Sequence, residues 1–131
     1  MTVLGLDIGD KRVGVAYELQ GVVFPYKVLI RANLIKDLKK IIVEKKVTSI
    51  VVGVPYGMSE KNTQQKKIQD FIVFLRETFP KVSFIEEDER YSTQISSNLL
   101  EEFGQDMNQK KDDIAATYIL ESYLIRKNKT S

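Results

Sequence analysis

The chain has 131 residues, of which 43% are hydrophobic and 29% charged, as is typical of one compact domain with a single core. It contains no cysteine and no histidine. Disulfides, thiolate metal sites, cysteine nucleophiles and histidine general bases are therefore excluded. Any catalysis must depend on carboxylates, lysine, tyrosine, hydroxyls or a hard metal ion. The formal net charge of +2 permits nucleic-acid binding without indicating it.

The composition also bears on location. The first residues contain Asp7 and no basic stretch ahead of an apolar run, so we expect no signal peptide. No uninterrupted apolar run reaches the length of a transmembrane helix. We expect a cytoplasmic protein with no membrane partner, folded as a single domain over residues 1–131.

The first 54 residues are predicted to form three strands, a helix and a fourth strand. Apolar and β-branched residues cluster in three short runs separated by glycine-containing turns, at residues 3–8, 13–19 and 22–30. Asn33 is a plausible N-cap for an amphipathic helix that follows it. The continuous apolar run at 49–54 is typical of a strand buried on both faces.

The second half of the chain alternates helices with strands. Apolar spacing predicts a helix around residues 68–79 that ends at Pro80, and a fifth strand from residue 82 that runs into acidic residues. Two further helices are predicted, over residues 95–103 and from about residue 112.

A three-strand meander followed by alternating helices and strands indicates an α/β fold. We predict a five-stranded mixed sheet in the order 3-2-1-4-5, with right-handed crossovers that place helices on both faces. Such sheets bind ligands at the carboxyl ends of their strands, near the point where the strand order reverses. In this order that point lies beside the first strand, which ends at Asp7.

Asp7 is the first candidate for chemistry. It ends a buried strand, and Gly9 follows it, which lets a backbone or phosphate come close. Burial of a carboxylate is costly unless it is paired or binds a cation. On local features alone, Asp7 is better explained as a turn residue that bonds its own backbone. Lys11 and Arg12 are either solvated turn charges or phosphate contacts.

Two more acidic segments stand at element ends. The fifth strand ends in four acids, Glu86, Glu87, Asp88 and Glu89. Strand alternation would send two of these carboxylates to each face of the sheet. Alternatively, they form a solvated acidic edge. Asp112 and Asp113 open the last helix, where acids satisfy free N–H groups. The paired alanines at 115–116 would also permit close packing of that helix on the sheet.

Carboxylates from three distant segments, without histidine, are typical of a Mg²⁺ or Mn²⁺ site. Two such ions about 4 Å apart can activate water and stabilise the leaving oxygen of a phosphodiester. No protein nucleophile is then needed.

Several motifs occur together in one order: LGLDIG (residues 4–9) with KRVGVA (11–16), VVGVP (51–55), DERYST (88–93), and DDIAA (112–116) with ILESYL (119–124). This ordered set resembles the YqgF family, relatives of the RuvC Holliday junction resolvases. The family is described as candidate nucleases that trim the precursor of small-subunit ribosomal RNA. The resemblance spans nearly the whole chain.

The resemblance implies a ribonuclease H-like fold and a catalytic metal site formed by Asp7, Glu89 and Asp112. Asp112 is preferred to Asp113 because the family's acid stands three positions before the first of the paired alanines. Asp88 is the alternative to Glu89. The cofactor implied is Mg²⁺ or Mn²⁺.

The implied activity is metal-dependent endonucleolytic cleavage of structured nucleic acid, with processing of the 5′ end of pre-16S rRNA favoured over cleavage of branched DNA. We expect a monomer or a weak homodimer. The candidate nucleic-acid contacts are Lys11, Arg12, Lys61, Arg90, Lys110 and Lys111.

The chain departs from the family pattern at two places. Tyr17-Glu18 replaces the usual Ser-Asp after the second strand and keeps the charge. Residues 58–60, Met-Ser-Glu, replace a usual Met-Asp-Gly and alter a loop expected near the substrate.

Two other functions compete with nuclease activity. A non-catalytic nucleic-acid or ribosome-associated binding module could use the same fold for docking, although such a module gains nothing from burying three acids beside a polyanion. Actin-like kinases open with a similar Asp-x-Gly-x-Lys segment. They bind nucleotide between two domains, whereas this chain has one and no later phosphate-binding glycine segment.

Overall fold

The structure is a computed structural model that describes residues 2–56, 62–89 and 112–130. Its elements follow in chain order: β1 (Thr2–Ile8), β2 (Arg12–Leu19), β3 (Val22–Ile30), a 3₁₀ turn (Arg31–Asn33), α1 (Leu34–Lys45), β4 (Val47–Val54), α2 (Asn62–Thr78), β5 (Ser83–Asp88) and α3 (Asp112–Thr130). The five predicted strands and three of the predicted helices are confirmed. The helix predicted at 95–103 lies outside the described residues, as do residues 57–61.

The strands form one mixed sheet in the order β3-β2-β1-β4-β5, which confirms the predicted topology. β1 to β3 are antiparallel neighbours joined by short turns, whereas β4 is parallel to both β1 and β5. Parallel neighbours need a crossover, which α1 and α2 provide. The β2–β3 turn places Gln20 and Gly21 at positive φ, as a tight two-residue hairpin requires.

Helix α1 begins where Asn33 was expected to cap it. Asn33 occupies the N-cap position, but its side chain makes no capping hydrogen bond. Lys46 caps the carboxyl end of the helix: it takes the left-handed conformation, and its N–H donates to the last-turn carbonyls of Ile42 and Val43.

Strands β1, β2, β4 and β5 bury residues on both faces of the sheet, whereas the edge strand β3 buries Leu29 alone. The two faces carry different residues. On the α2 face, large aliphatic side chains of the strands pack against Leu34, Leu38 and Ile41 of α1 and against α2. On the α3 face, Ala16 and Val51 pack against α3. Helices therefore cover both faces, as predicted. Within the described ranges, no helix has the length and apolar character needed to cross a bilayer.

Candidate active site

Asp7 lies near the carboxyl end of β1, on the α3 face. Alternation along the strand sends Leu6 and Ile8 into the core of the α2 face, so Gly5 and Asp7 point the other way. Asp7 is half-buried. It lines an open pocket of about 200 Å³ together with the turn residues Gly9, Asp10, Lys11 and Arg12.

The turn between β1 and β2 closes on itself at Gly9. The Gly9 N–H donates to the carbonyl of Arg12 at 2.9 Å. A Cβ on residue 9 would lie 2.8 Å from that same carbonyl oxygen, so only glycine fits without a shift of the backbone. The candidate phosphate contacts Lys11 and Arg12 are exposed on this turn, beside Asp7.

The acidic end of β5 is divided between the two faces, as alternation predicted. Glu86 lies on the α2 face, where it accepts hydrogen bonds from the hydroxyl of Tyr56 and from Gln69 Nε2, the latter at 2.9 Å. Glu87 lies on the α3 face, almost fully buried. It accepts from Ser122 Oγ and from Arg126, each at 2.7 Å. These two acids tie β5 to its neighbouring helices, and neither forms a solvated edge.

Tyr56 follows β4 and fixes the end of that strand to α2. Burial raises the pKa of the Tyr56 hydroxyl, and its hydrogen bond to Glu86 adds to the shift. The hydroxyl therefore stays protonated at neutral pH and remains a donor to Glu86. Gln69 also approaches the Tyr56 hydroxyl, at 3.2 Å.

Glu89 follows β5 directly and is half-buried. Its Cγ lies 3.1 Å from the point where a Cβ on Gly53 would stand, which places Glu89 over β4 on the α3 face. Asp7 is one position beyond Leu6, which pairs with Val52, so Asp7 stands beside Gly53, about 5 Å away across the sheet. Asp7 and Glu89 thus flank a position that has no side chain.

Helix α3 lies directly on β1. Ala116 is fully buried, and its carbonyl oxygen lies 2.9 Å from where a Cβ on Gly5 would stand. Asp112 is the first residue of the helix, one turn before Ala116 and so about 6 Å along the axis. The small residues that the sequence pairs at 115–116 do permit close packing on the sheet. The side chains of Asp112 and Asp113 lie outside the described part.

Of the other candidate contacts, Lys61, Arg90, Lys110 and Lys111 lie outside the described residues, as does the departure at residues 58–60. Glu18, in the other departure from the family pattern, accepts a hydrogen bond from the Gly21 N–H at 2.8 Å. That carboxylate fixes the β2–β3 turn, at the far end of β2 from Asp7.

Sequence reasoning missed Arg31, at the end of β3. Its guanidinium donates to the Gly9 carbonyl at 2.8 Å, and its backbone N–H donates to the Lys11 carbonyl at 2.9 Å. It also missed Gly53, although an isolated glycine in an apolar strand is itself an indication of close approach. Arg31 gave no comparable indication, because its partners are 20 or more positions away.

The donor set suits a hard divalent cation. Two half-buried carboxylates, Asp7 and Glu89, flank one glycine on the same face, and oxygen ligands are those that Mg²⁺ and Mn²⁺ prefer. Among side chains that the structure describes, no three Asp, Glu, His or Cys residues lie together as a complete site. Asp112, the third acid that the resemblance implies, opens the helix that packs against β1.

Known proteins share this arrangement of elements. RuvC from T. thermophilus, solved in complex with a Holliday junction substrate, superimposes with a TM-score of 0.67 at 10% identity, covering 98% of this chain and 95% of that one. At this identity the likeness shows the fold, which is that of the ribonuclease H-like resolvases.

Other known proteins are more similar to this chain in sequence than RuvC is. A protein of Fusobacterium nucleatum named as a candidate pre-16S rRNA nuclease is 33% identical over 92% of this chain and 94% of its own length. A protein of Carboxydothermus hydrogenoformans with the same name is 35% identical over 98% of this chain and 99% of its own length. The model of the RuvX family, described as Holliday junction resolvase, matches residues 1–126. The chain therefore belongs to the RuvX family of nucleases, the YqgF-type proteins that its motifs resemble.

Proposed function

We propose that this protein is a divalent-metal-dependent endonuclease that acts on structured nucleic acid, and that its substrate in the cytoplasm is the 5′ end of pre-16S rRNA. The observation that carries the proposal is the pair of half-buried carboxylates, Asp7 and Glu89, on either side of Gly53. The names of the relatives support the choice of RNA over branched DNA.

In this proposal Asp7, Glu89 and Asp112 hold Mg²⁺ or Mn²⁺. When bound, the ions would activate water and stabilise the leaving oxygen of the phosphodiester. The carboxylates reach the site from three segments that are distant in sequence, so the folded sheet is needed to assemble them. Asp88 and Asp113 are the neighbouring acids that a test has to separate from Glu89 and Asp112.

The cations around the site would bind the backbone of the substrate. Lys11 and Arg12 stand in the pocket beside Asp7, and Lys61, Arg90, Lys110 and Lys111 are proposed to extend the contact. Neutralising phosphates releases counterions, so substrate binding should weaken as salt rises.

The test compares cleavage of a pre-16S rRNA fragment and of a four-way DNA junction with Mg²⁺, Mn²⁺ or EDTA. Asp7→Asn, Glu89→Gln and Asp112→Asn should each abolish cleavage while the protein stays folded. Asp88→Asn and Asp113→Asn should retain it. Millimolar Mn²⁺ should raise the Tm of the parent and not that of Asp7→Asn, because a ligand that binds only the folded state stabilises it.

Asp70→Asn is the matched control, since Asp70 is an exposed acid on α2 and loses the same charge. It should cleave as the parent does. Cleavage by Asp7→Asn at the parental rate would contradict the metal site. Tight binding of either substrate without cleavage under any metal would instead show a non-catalytic binding module. Sedimentation at several concentrations would decide between the expected monomer and a weak homodimer.

A further inference from the structure

We propose that Arg31 is a positioning residue, which holds the turn at residues 9–12 in the shape that presents Lys11 to a phosphate of the substrate. The inference rests on the proposed function, because it assigns a role toward the same nucleic acid. It adds a residue outside the acidic motifs, at the end of the edge strand β3.

Arg31 makes two hydrogen bonds to the turn. Its guanidinium donates to the Gly9 carbonyl at 2.8 Å, and its backbone N–H donates to the Lys11 carbonyl at 2.9 Å. The turn also carries its own bond from the Gly9 N–H to the Arg12 carbonyl. The carbonyls of Gly9 and Lys11 are thus fixed relative to the end of β3, and the turn between them is closed by its own bond.

The guanidinium is itself held in place. It lies over the ring of Phe71 in α2, with 4.3 Å between the guanidinium carbon and the ring centroid. Phe71 packs in turn against the main hydrophobic core. A planar cation can stack on a ring and donate in its own plane at the same time, which a lysine ammonium cannot do in the same way. Arg31 therefore connects the turn to the rigid core on the α2 face.

This connection matters for binding because Lys11 is exposed and has a long, flexible side chain. A cation on a loose turn loses more conformational freedom when it contacts a phosphate, and that loss weakens binding. The pocket beside Asp7 is lined by Gly9, Lys11 and Arg12, so its shape follows that of the turn. A fixed turn keeps the cation and the carboxylate at a constant separation.

The test is a double-mutant cycle on nucleic-acid binding. Binding of a labelled four-way DNA junction and of a labelled pre-16S rRNA fragment is measured by fluorescence anisotropy in EDTA, so that cleavage does not interfere. Arg31→Gln and Lys11→Ala should each raise Kd about 10-fold, the size of one good contact to a charged group. The double variant should be little weaker than either single variant, because Arg31 acts through Lys11. Each should also reduce the slope of log K against log salt by about 1.

Arg76→Gln is the matched control. Arg76 also donates to a backbone carbonyl, that of Phe84 at 2.9 Å, but on the far side of α2 from the turn. It should lower the Tm as Arg31→Gln does and leave Kd and the salt dependence unchanged. If Arg31→Gln does not fold, Phe71→Leu replaces it, because this variant removes the ring under the guanidinium. Phe71→Leu should raise Kd by a smaller factor. In the Lys11→Ala background it should leave Kd unchanged.

The outcomes separate the two proposals. Independent effects of Arg31→Gln and Lys11→Ala, multiplying in the double variant, would overturn the positioning role while nucleic-acid binding stands. An unchanged Kd in folded Arg31→Gln would do the same. Failure of the parent to bind either probe, both in EDTA and with Mn²⁺, would overturn the proposed function and the role of Arg31 with it.

Discussion

The two faces of the sheet are packed with side chains of different size. On the α2 face, Leu38 and Leu75 belong to a continuous core of large hydrophobic residues that both helices and all five strands contribute. On the α3 face the described cluster of buried residues is smaller and includes Ala16 and Ala116. Two glycines, Gly5 and Gly53, let the helix backbone or its side chains come within 3 Å of where a Cβ would stand.

This difference indicates that the α2 face mainly stabilises the fold, whereas the α3 face mainly forms the candidate site. Burial of large aliphatic side chains is the main source of stability, and among the described residues the α2 face has most of it. The α3 face gives up some of that burial, so that α3 approaches the strands that end beside Asp7 and Glu89. Carboxylates are tolerated there only where they are paired or can hold a cation. Substitutions on both faces test whether stability and activity divide in this way.

The largest expected effect on stability is on the α2 face. Leu38→Ala removes a fully buried side chain from α1 and should lower the free energy of unfolding by about 2–5 kcal/mol, through lost burial and the cavity that remains. Urea unfolding followed by circular dichroism measures the change. Cleavage per folded molecule should stay at the parental rate. A drop in turnover in folded Leu38→Ala would argue against the division between the faces.

On the α3 face, Gly53→Ala should affect activity more than stability. The new Cβ would stand 2.5 Å from Ile119 Cδ1 and 3.1 Å from Glu89 Cγ. The isoleucine terminus can move, so we expect an overpacking cost of about 1–3 kcal/mol. Displacement of Glu89 should reduce the cleavage rate by about 10²-fold, as misplacement of a reacting group does.

A second substitution separates these two effects of Gly53→Ala. Ile119→Val removes the Cδ1 methyl group and should restore much of the stability in the double variant, as judged by Tm. Cleavage should remain low, because the contact with Glu89 persists. Recovery of both properties would mean that Gly53 serves packing alone.

The third prediction concerns a carboxylate on the α3 face that serves structure. Arg126→Gln leaves the buried Glu87 with Ser122 as a donor but without its ion-pair partner, and should cost about 1–3 kcal/mol. Glu87→Gln should cost less, because no buried charge is left behind and the half-exposed Arg126 returns to water. Thermal unfolding of both variants measures the order. The reverse order would show that the ion pair is not what holds β5 to α3.

The smallest effect is expected at Glu121, on α3. Burial raises the pKa of this carboxyl, so the folded state binds the proton more tightly than the unfolded chain. The resulting stability is complete below the unfolded pKa, about 4.3, and is lost as pH rises through the folded pKa. Glu121→Gln should therefore be more stable than the parent at pH 7, by about 0.5 kcal/mol, and equal to it at pH 4. Equal Tm differences at both pH values would contradict this.

The two faces also differ in how well sequence patterns predicted them. The α2 face follows local periodicity: apolar spacing predicted both of its helices, and Leu34 and Leu38 of α1 and Ile68 and Ile72 of α2 do face the core. The role of each acid at the end of β5 was ambiguous in the sequence, because residues of the same type make different contacts there. Only contacts across the fold show that Glu87 is held by Arg126, 39 positions away.

The sequence by itself determined the five strands and the position of Asp7 near the end of the first strand, since strand periodicity and turn residues act over short stretches of chain. The strand order was predicted with the fold that the ordered motifs imply. The tertiary structure decided what lies beside Asp7. Gly53 comes from β4 and Glu89 from the end of β5, while Arg31, at the end of β3, holds the turn that follows β1. No local pattern records that these residues will be neighbours. Their proximity follows from the pairing register of the sheet, which is a property of the whole fold.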